Sequence, residues 1–209
     1  MSGLKLNIGC GKTILPGWVN LDNSPSVMIS KIPFLKTVLF QAGLINRDQS
    51  QNEWPKEIVW CDVSRRIPFP SGSVDKLYSS HFLEHLDREQ GVRVMGEAFR
   101  VLKKRGIFRL VVPDLVFHVQ RYLSKITEPE KAGREPHDEL LKNIAGAYID
   151  PKRFGASHRY MYDWPTLRLL LQQAGFERVM LQHYQQSIDA ELAILDSRPE
   201  DSLHIDTVK

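Results

Sequence analysis

The sequence LKLNIGCG at residues 4–11 contains the first indication of the fold. Residues 4–8 have the apolar content and length of a short buried strand, and Gly9-Cys10-Gly11 ends it. Two glycines directly after a strand let the backbone turn sharply and come close to a ligand. The nucleotide-binding pattern G-x-G-x-x-G is not completed, because residue 14 is Ile. A glycine pair by itself is equally typical of an ordinary tight turn, so its meaning depends on the segments that follow.

Further apolar runs of strand length follow, each bounded by turn residues. They lie at residues 18–21, 58–61, 74–78, 107–112, 176–183 and 202–208. Apolar residues at helical spacing predict two helices, at about 83–103 and at 164–174. Asp163 is placed to cap the second helix, Pro165 suits its first turn and Gly175 ends it. Short buried strands that alternate with helices predict a parallel sheet covered on both faces.

Aspartates end two of these runs. Asp22 follows the second run, and Asp62, with Val63 after it, follows the third. Open α/β sheets bind their ligands at the carboxyl ends of parallel strands. A carboxylate at the second strand can accept hydrogen bonds from both hydroxyls of a ribose. At the third strand a carboxylate can accept from an adenine amino group, while the Val63 N–H pairs with a ring nitrogen. Each aspartate alone also suits a turn, but three consecutive strands ending in ligand-type groups are more specific.

With these residues the sequence resembles the class I S-adenosylmethionine-dependent methyltransferases. LNIGCG at 6–11 is similar to the glycine-rich first motif of the family, Asp22 to its ribose-binding acidic residue and Asp62-Val63 to its adenine-contacting pair. The resemblance continues through IPFPSGSVD at 67–75, SSHFLEHL at 79–86, EAFRVLKKRGIFRLVVP at 97–113 and AGF at 174–176. It covers most of the chain apart from two insertions.

The resemblance implies a Rossmann-like three-layer α/β sandwich. Its seven-stranded, mostly parallel sheet has the order 3-2-1-4-5-7-6, with strand 7 antiparallel. A single methyltransferase domain over residues 1–209 would carry an apolar cap at about 24–54 and a substrate wall at 115–162. Only ten residues separate Gly11 from Asp22, so the usual first helix must be short or absent. The implied cofactor is S-adenosyl-L-methionine, bound by Asn7, Gly9, Cys10, Gly11, Asp22, Asp62, Val63, Ser80 and His81.

The chemistry of methyl transfer indicates which further residues matter. The reaction is an in-line displacement with a neutral thioether as leaving group, so catalysis can come largely from positioning. A base is needed when the acceptor is a hydroxyl, and histidine suits this role near neutral pH. We predict His81 as the first candidate, His158 as the second and Asp114 as the third. Asp114 would equally cap a helix that begins at residue 115, and His158 would equally be a loop residue.

A polar cluster in the second insertion suggests the acceptor. Its members are Arg153, His158, Arg159, Tyr160 and Tyr162. Aromatic rings with forked guanidinium groups suit sugars, phosphates or carboxylates. We therefore expect a small-molecule or glycan-type acceptor, methylated at an oxygen or nitrogen, with the glycan resting partly on family analogy. A second hypothesis is a protein that binds the cofactor without catalysis.

A third hypothesis comes from HFLEH at residues 81–85, which spells H-x-x-E-H. On a helix His81 and His85 would share one face, as in zinc proteases. The motif directly follows a predicted strand, whereas such proteases carry it on a long helix. The zinc hydrolase is therefore the least favoured reading, and no metal is expected.

Charge and composition argue against several other classes. The formal charge is only +3, and the nearest approach to a basic stripe is Arg100, Lys103, Lys104, Arg105 and Arg109. We interpret these residues as cations at the negative end of a helix that Gly106 terminates, so no nucleic-acid partner is expected. Two cysteines far apart indicate neither a disulfide framework nor a zinc site. Without a signal peptide or a run of about 20 apolar residues, the predicted location is the cytoplasm, with no transmembrane segment.

The apolar segment at residues 28–45 allows two interpretations. With Lys31 and Lys36 it could form an amphipathic helix that contacts a membrane surface peripherally or mediates dimerisation. The interpretation that we favour is a cap packed on the sheet of the protein itself.

Overall fold

The computed structural model of the chain describes residues 3–32, 34–51, 53–127, 136–145, 157–198 and 201–209. Seven strands form one sheet in the order β3-β2-β1-β4-β5-β7-β6. The strands are β1 Lys5–Ile8, β2 Val19–Asp22, β3 Val59–Trp60, β4 Val74–Ser80, β5 Leu102–Pro113, β6 Arg178–Gln182 and β7 Ser202–Val208. Strands β1 to β5 pair in parallel, and β7 pairs antiparallel with both β5 and β6. The predicted α/β class, strand order and orientation are confirmed.

The α-helices lie in four of the connections between the strands rather than after every strand. They are α1 Pro25–Ser30, α2 Leu35–Gln41, α3 Arg47–Gln51, α4 Arg88–Val101, α5 Leu115–Thr127, α6 Pro136–Ala145, α7 Trp164–Gln173 and α8 Ala190–Ala193. No helix lies between β1 and β2, where residues 11–18 form turns. The prediction that the first helix is short or absent is therefore confirmed, and it is absent. Asp163 caps α7, as predicted, by accepting a hydrogen bond of 2.8 Å from the Thr166 N–H.

Both faces of the sheet are covered. Leu77 and Leu110 belong to the large core cluster under α4 and α7, whereas their neighbours Tyr78 and Val111 pack with Trp18 on the opposite side. Successive side chains of a strand point to opposite faces, so this alternation places a core on each side of β4 and β5. The central strands are therefore apolar almost without interruption, which is why they were recognisable in the sequence.

Helix α4 is shorter than the predicted helix at both ends. The chain first forms a 3-10 turn, Leu83–His85, and α4 begins only after Asp87. Asp87 and Gln90 form a reciprocal capping box, with the Gln90 N–H donating to Asp87 Oδ1 at 2.8 Å and the Asp87 N–H to Gln90 Oε1 at 3.1 Å. The sequence D-x-x-Q was the signal for this start.

The role predicted for Gly106 is wrong. Helix α4 ends at Val101, and Gly106 lies within β5. A Cβ at Gly106 would lie 2.9 Å from the Lys103 carbonyl oxygen and 3.2 Å from that of Asp75. The glycine is therefore required for close packing against neighbouring backbone, and Arg105, with φ of 67°, makes the left-handed turn.

The interpretation of the basic residues as cations at the end of a helix is also wrong for Arg109, which lies in β5 and is fully buried. Its Nη2 lies 2.5 Å from Asp196 Oδ2, and its Nη1 lies 3.1 Å from Asp206 Oδ1. Strand β5 carries Arg109 into the interior, where two carboxylates compensate its charge.

The insertion at 24–54 covers the sheet only in part. Val27 of α1 is buried against Cys10 and Ile58, but α2 buries none of its side chains. Phe34 and Leu44 are 82% and 72% exposed. Strand β3, the edge of the sheet next to α1, has only two residues, and its Val59 and Trp60 are 46% and 44% exposed, so α2 leaves this apolar edge uncovered. The favoured packing of residues 28–45 on the sheet is therefore wrong for α2.

The insertion at 115–162 contains α5 and α6, which are joined by ion pairs of Arg121 and Lys125 with Glu139. Among the described residues, no helix is long and apolar enough to cross a membrane.

Candidate functional site

Two backbone N–H groups of the loop after β1 donate hydrogen bonds to the end of β2, one to a carbonyl and one to a carboxylate. The Cys10 N–H donates to the Leu21 carbonyl at 3.1 Å, and the Gly11 N–H donates to Asp22 Oδ2 at 2.8 Å. Gly9 and Gly11 adopt φ of 62° and 54°, the left-handed region that favours glycine. This geometry places a carboxylate directly beside the glycine loop at the carboxyl edge of the sheet.

The two glycines differ in what surrounds them. A Cβ at Gly9 would lie 2.1 Å from Phe82 Cγ, so Gly9 allows the Phe82 ring to approach the backbone. A Cβ at Gly11 would meet no atom of the described residues within 4 Å. The space beside Gly11 is therefore open, as a ligand that approaches the backbone would require.

The Asp22 carboxylate has capacity for a ligand. Its Oδ1 accepts a hydrogen bond of 2.8 Å from the Ser24 N–H, while Oδ2 accepts from Gly11. Burial raises the pKa of Asp22, and these two backbone hydrogen bonds oppose the shift. Each carboxylate oxygen can accept a second hydrogen bond, so a vicinal diol could donate to both.

Asp62 lies at the end of β3, as predicted. Its Oδ1 accepts a hydrogen bond of 2.6 Å from Ser64 Oγ, and its Oδ2 lies 3.1 Å from Arg65 Nε. Val63 is buried in the main core. Its side chain therefore supports the loop, and only its backbone is suited to contact a ligand.

Asn7 and Cys10 support the loop from inside. Asn7 Nδ2 donates to Asn20 Oδ1 at 3.0 Å and to the Thr13 carbonyl at 3.2 Å. Asn20 Oδ1 also accepts a hydrogen bond of 3.0 Å from the Leu15 N–H, so this buried amide pair organises the turns that replace the first helix. The Cys10 side chain packs beside Val27, and burial raises the pKa of its thiol to about 12. Cys10 is therefore a neutral thiol at physiological pH.

His81 lies where β4 ends, directly after Ser80. Its φ is 50°, and its N–H donates to the Val111 carbonyl at 2.9 Å. The imidazole Nε2 lies 3.0 Å from Ser202 Oγ, which in turn lies 3.1 Å from Asp201 Oδ1. The Nδ1 atom lies 3.4 Å from Glu84 Oε1. The ring is therefore held between the start of β7 and a buried carboxylate.

His158 lies beside the same carboxylate. The Glu84 carbonyl accepts hydrogen bonds from the Arg159 and Tyr160 N–H groups at 2.6 and 3.2 Å, which joins residues 157–160 to the turn after β4. The His158 and His85 rings meet edge to face, with centroids 5.2 Å apart. Burial lowers the pKa of His158, although Glu84 opposes the shift.

The third catalytic candidate, Asp114, accepts a hydrogen bond of 2.9 Å from the Val116 N–H at the start of α5. This is the capping role that the sequence also allowed. The backbone beside it pairs with Tyr162, whose carbonyl accepts from the Leu115 N–H at 2.9 Å.

The predicted acceptor cluster divides into two parts. Tyr162 is buried in the core, while His158, Arg159 and Tyr160 lie next to Glu84 and remain partly or fully exposed. Arg153 lies outside the described residues.

Several side chains of this region were not predicted. Ser202 contacts His81 across 121 positions of the sequence, and no local pattern signals such a contact. His118 of α5 is buried, and burial lowers the pKa of its imidazole. Glu84 is buried as well, with the imidazoles of His81, His85 and His158 around its carboxylate.

The helix required by the H-x-x-E-H hypothesis is not formed. His81 lies in a left-handed turn, and only the three residues Leu83–His85 are helical. His81 and His85 therefore do not share a helix face, so this part of the zinc-protease reading is wrong.

Comparison with known proteins identifies relatives of this fold. The family described as "Methyltransferase domain" matches residues 6–110. The chain is similar to a SAM-dependent methyltransferase from Archaeoglobus fulgidus, with a TM-score of 0.55 and 17% identity over 99% of this chain and 86% of that one. A methyltransferase from Mesorhizobium loti gives a TM-score of 0.54 and 17% identity, covering 99% and 90%. The structure described as "PigF with SAH" gives a TM-score of 0.50 and 14% identity, and the match covers 99% of this chain and 50% of that one. No curated protein sequence matches the chain.

Proposed function

Because this chain belongs to the S-adenosylmethionine-dependent methyltransferase family, we propose that it methylates an oxygen or nitrogen of a small-molecule or glycan-type acceptor. The observation that supports the cofactor site most directly is the pairing of Gly11 with Asp22. An open backbone position and a carboxylate with free acceptor capacity lie side by side at the carboxyl edge of β1 and β2.

The residues present fit S-adenosylmethionine, which supplies an electrophilic methyl group when bound. Asp22 would accept the ribose hydroxyls, and Asp62 with the Val63 backbone would contact the adenine. Gly9, Gly11 and the backbone of Cys10 would line the approach to the methionine part, with Asn7 holding this loop in place. Ser80 and His81 would border the methyl group at the end of β4.

We propose His81 as the group that accepts a proton from a hydroxyl acceptor. The Ser202 hydroxyl donates its proton to Asp201, so its oxygen accepts a hydrogen bond from the Nε2–H of His81. In this neutral tautomer of His81 the Nδ1 atom carries the lone pair that could accept a proton. His158 is the second candidate. Asp114 is the third, and its carboxylate is already engaged in capping α5.

The acceptor class is supported by the side chains next to Glu84. His158, Arg159 and Tyr160 combine an imidazole, a guanidinium and a phenol beside Glu84, the residue that His81 also faces. Such groups suit a polar acceptor with hydroxyl or anionic substituents. Conversion of S-adenosylmethionine in the presence of sugar and small hydroxylated acceptors would separate this function from the alternative of a non-catalytic cofactor-binding protein.

The predicted partners and location remain predictions. They are the absence of a nucleic-acid partner, a cytoplasmic location, and contact of residues 28–45 with a membrane surface or a second copy. The exposed apolar side chains of α2 are compatible with such contacts.

The cofactor site is tested by calorimetric titration with S-adenosylhomocysteine, using Gly11→Ala and Gly72→Ala as a matched pair. Both glycines have positive φ, 54° and 65°, and a Cβ at either meets no atom within 4 Å. The two variants therefore carry the same backbone strain. Gly11→Ala should weaken binding by about tenfold or more, equivalent to roughly 1.4 kcal/mol, because its methyl group enters the ligand space. Gly72→Ala should bind like the unmodified protein.

Asp22→Asn should also weaken binding, because an amide nitrogen cannot accept from a ribose hydroxyl. Equal affinities of the two glycine variants would contradict the placement of the cofactor beside Gly11. A folded protein that does not bind at all would contradict the proposed function.

A further inference from the structure

Three side chains near the end of β4 direct metal-ligating atoms at a common centre. Glu84, His85 and His158 each offer one such atom, and these atoms all lie within 4.8 Å of one another. Two of the residues come from the turn after β4 and the third from the segment 157–160. The backbone hydrogen bonds of that segment to the Glu84 carbonyl hold the two parts together.

The environment of the Glu84 carboxylate suits a bound cation. Its side chain is only 1% exposed, and neither oxygen has a hydrogen-bond partner among the described residues. The nearest imidazole nitrogens lie 3.4 Å (His81 Nδ1) and 3.9 Å (His85 Nε2) from Oε1, too far for good hydrogen bonds. A buried carboxylate without hydrogen bonds destabilises the fold unless a positive charge compensates it.

The hydrogen bonds of His85 and His158 engage Nδ1 of each imidazole and leave Nε2 available to bind a metal ion. His85 Nδ1 lies 3.1 Å from the Ser157 carbonyl oxygen, and His158 Nδ1 lies 2.9 Å from that of Asn143. A carbonyl only accepts, so each Nδ1 must carry the proton. A neutral imidazole then presents a lone pair at Nε2. A metal-binding histidine typically donates its other N–H to a carbonyl or carboxylate in this way.

We propose that Glu84 and the Nε2 atoms of His85 and His158 bind a divalent transition-metal cation of the zinc class. Two imidazoles and one carboxylate form a donor set that suits such ions, whereas magnesium and calcium prefer oxygen ligands throughout. Three protein ligands leave at least one coordination position for a further group, as in catalytic metal sites.

The position of the site suggests its use, and this step rests on the proposed function. His81 Nδ1 lies 3.4 Å from the same Glu84 oxygen, so the cation and the proposed base border one space. A metal ion lowers the pKa of a hydroxyl bound to it. A cation here would therefore favour a hydroxyl acceptor over an amine. Metal binding itself requires only the three ligands.

The test uses untagged, chelator-treated full-length protein titrated with Co²⁺, whose visible absorption reports coordination, and with Zn²⁺ by calorimetry. We expect one equivalent of Co²⁺ to develop visible bands and Zn²⁺ to displace it, with much weaker binding of Mg²⁺. Glu84→Gln and His158→Gln should each lose about tenfold or more in affinity, since even the loss of a supporting partner costs that much. His137→Gln is the control, because this histidine of α6 is not one of the three proposed ligands and its side chain is 63% exposed.

Glu84→Gln removes a buried charge, so it should fold, and circular dichroism checks this. Absence of Co²⁺ bands in the folded protein would overturn the proposal. So would unchanged affinity in both ligand variants, loss of binding in His137→Gln, or a preference for Mg²⁺. Titration with S-adenosylhomocysteine separates the two claims: binding of that compound without binding of metal refutes only the metal site, and the reverse refutes only the proposed function.

Discussion

Two glycines in the loop after β1 are needed for different physical reasons. Both adopt positive φ, but Gly9 is also covered by the Phe82 side chain, whereas Gly11 faces open space. Gly9 is therefore a packing residue in the folded protein without ligand. Gly11 acquires a steric role only when a ligand lies beside it.

Gly9→Ala should destabilise the protein much more than Gly11→Ala. At Gly11 the added methyl group costs only the left-handed backbone strain, about 1–2 kcal/mol. At Gly9 the same strain adds to a clash with Phe82, and overpacking of this kind costs roughly a further 1–3 kcal/mol. Urea unfolding of the two variants gives the difference in the free energy of unfolding. An equal loss of stability would show that the Phe82 ring moves aside without cost.

In the segment between β2 and β3, the apolar residues of the sequence do not show which helix is buried. These side chains suit a cap over the sheet, but α1 and α2 differ in burial. Val27 of α1 is fully buried, while Val38 of α2 is 56% exposed. A helix contributes to stability through the face that it buries, so α1 should matter for folding and α2 should not.

Val27→Ala and Val38→Ala test this contrast with the same chemical change. Val27→Ala removes two methyl groups from a packed site and should cost about 2 kcal/mol. Val38→Ala should change the free energy of unfolding by less than about 0.5 kcal/mol. Thermal unfolding of both variants measures the effect. A large loss for Val38→Ala would mean that α2 is buried in solution, for example against a second copy.

Strands β1 and β4 are joined to α8 and its N-cap by a small network of ion pairs between residues far apart in the chain. Glu191 lies 2.5 Å from the Lys5 ammonium of β1 and 2.9 Å from that of Lys76 in β4, and Asp189 also pairs with Lys76 at 2.6 Å. Hydrogen bonds from the two lysines lower the pKa of Glu191 from its ordinary value of 4.5 to about 2. These contacts connect residues up to 186 positions apart.

This network makes stability dependent on pH in the acid range. A carboxyl group whose pKa is lowered by folding stabilises the fold above its unfolded value of 4.5, and the contribution is lost as pH falls towards 2. Glu191→Gln should therefore lower the melting temperature at pH 6, and the difference from the unmodified protein should shrink as pH falls below 4.5. Glu191 is partly exposed, so high salt should reduce the effect. Glu177→Gln, at an exposed position, is the control, and a difference that persists at pH 2 would contradict this origin.

The sequence alone determined the strands of the sheet and the edge of the sheet at which Asp22 and Asp62 lie. The strands β1, β4 and β5 are buried on both faces, so burial appears directly as apolar runs. The start of α7 depends on the local contact of Asp163 with a residue three positions later, and the missing first helix follows from a ten-residue separation. Asp22 and Asp62 could be placed because the carboxyl ends of parallel strands meet at one edge.

Only the tertiary structure decided which side chains meet beyond that edge. The contact of Glu84 with His158, the hydrogen bond of His81 to Ser202 and the burial of Arg109 between two distant aspartates all join residues far apart in sequence. The exposure of α2 is likewise a tertiary outcome, because its apolar residues do not by themselves show whether the helix packs on the sheet. The periodicity of apolar residues shows which face of a helix or strand is buried, whereas the partners of a side chain depend on how separate elements pack.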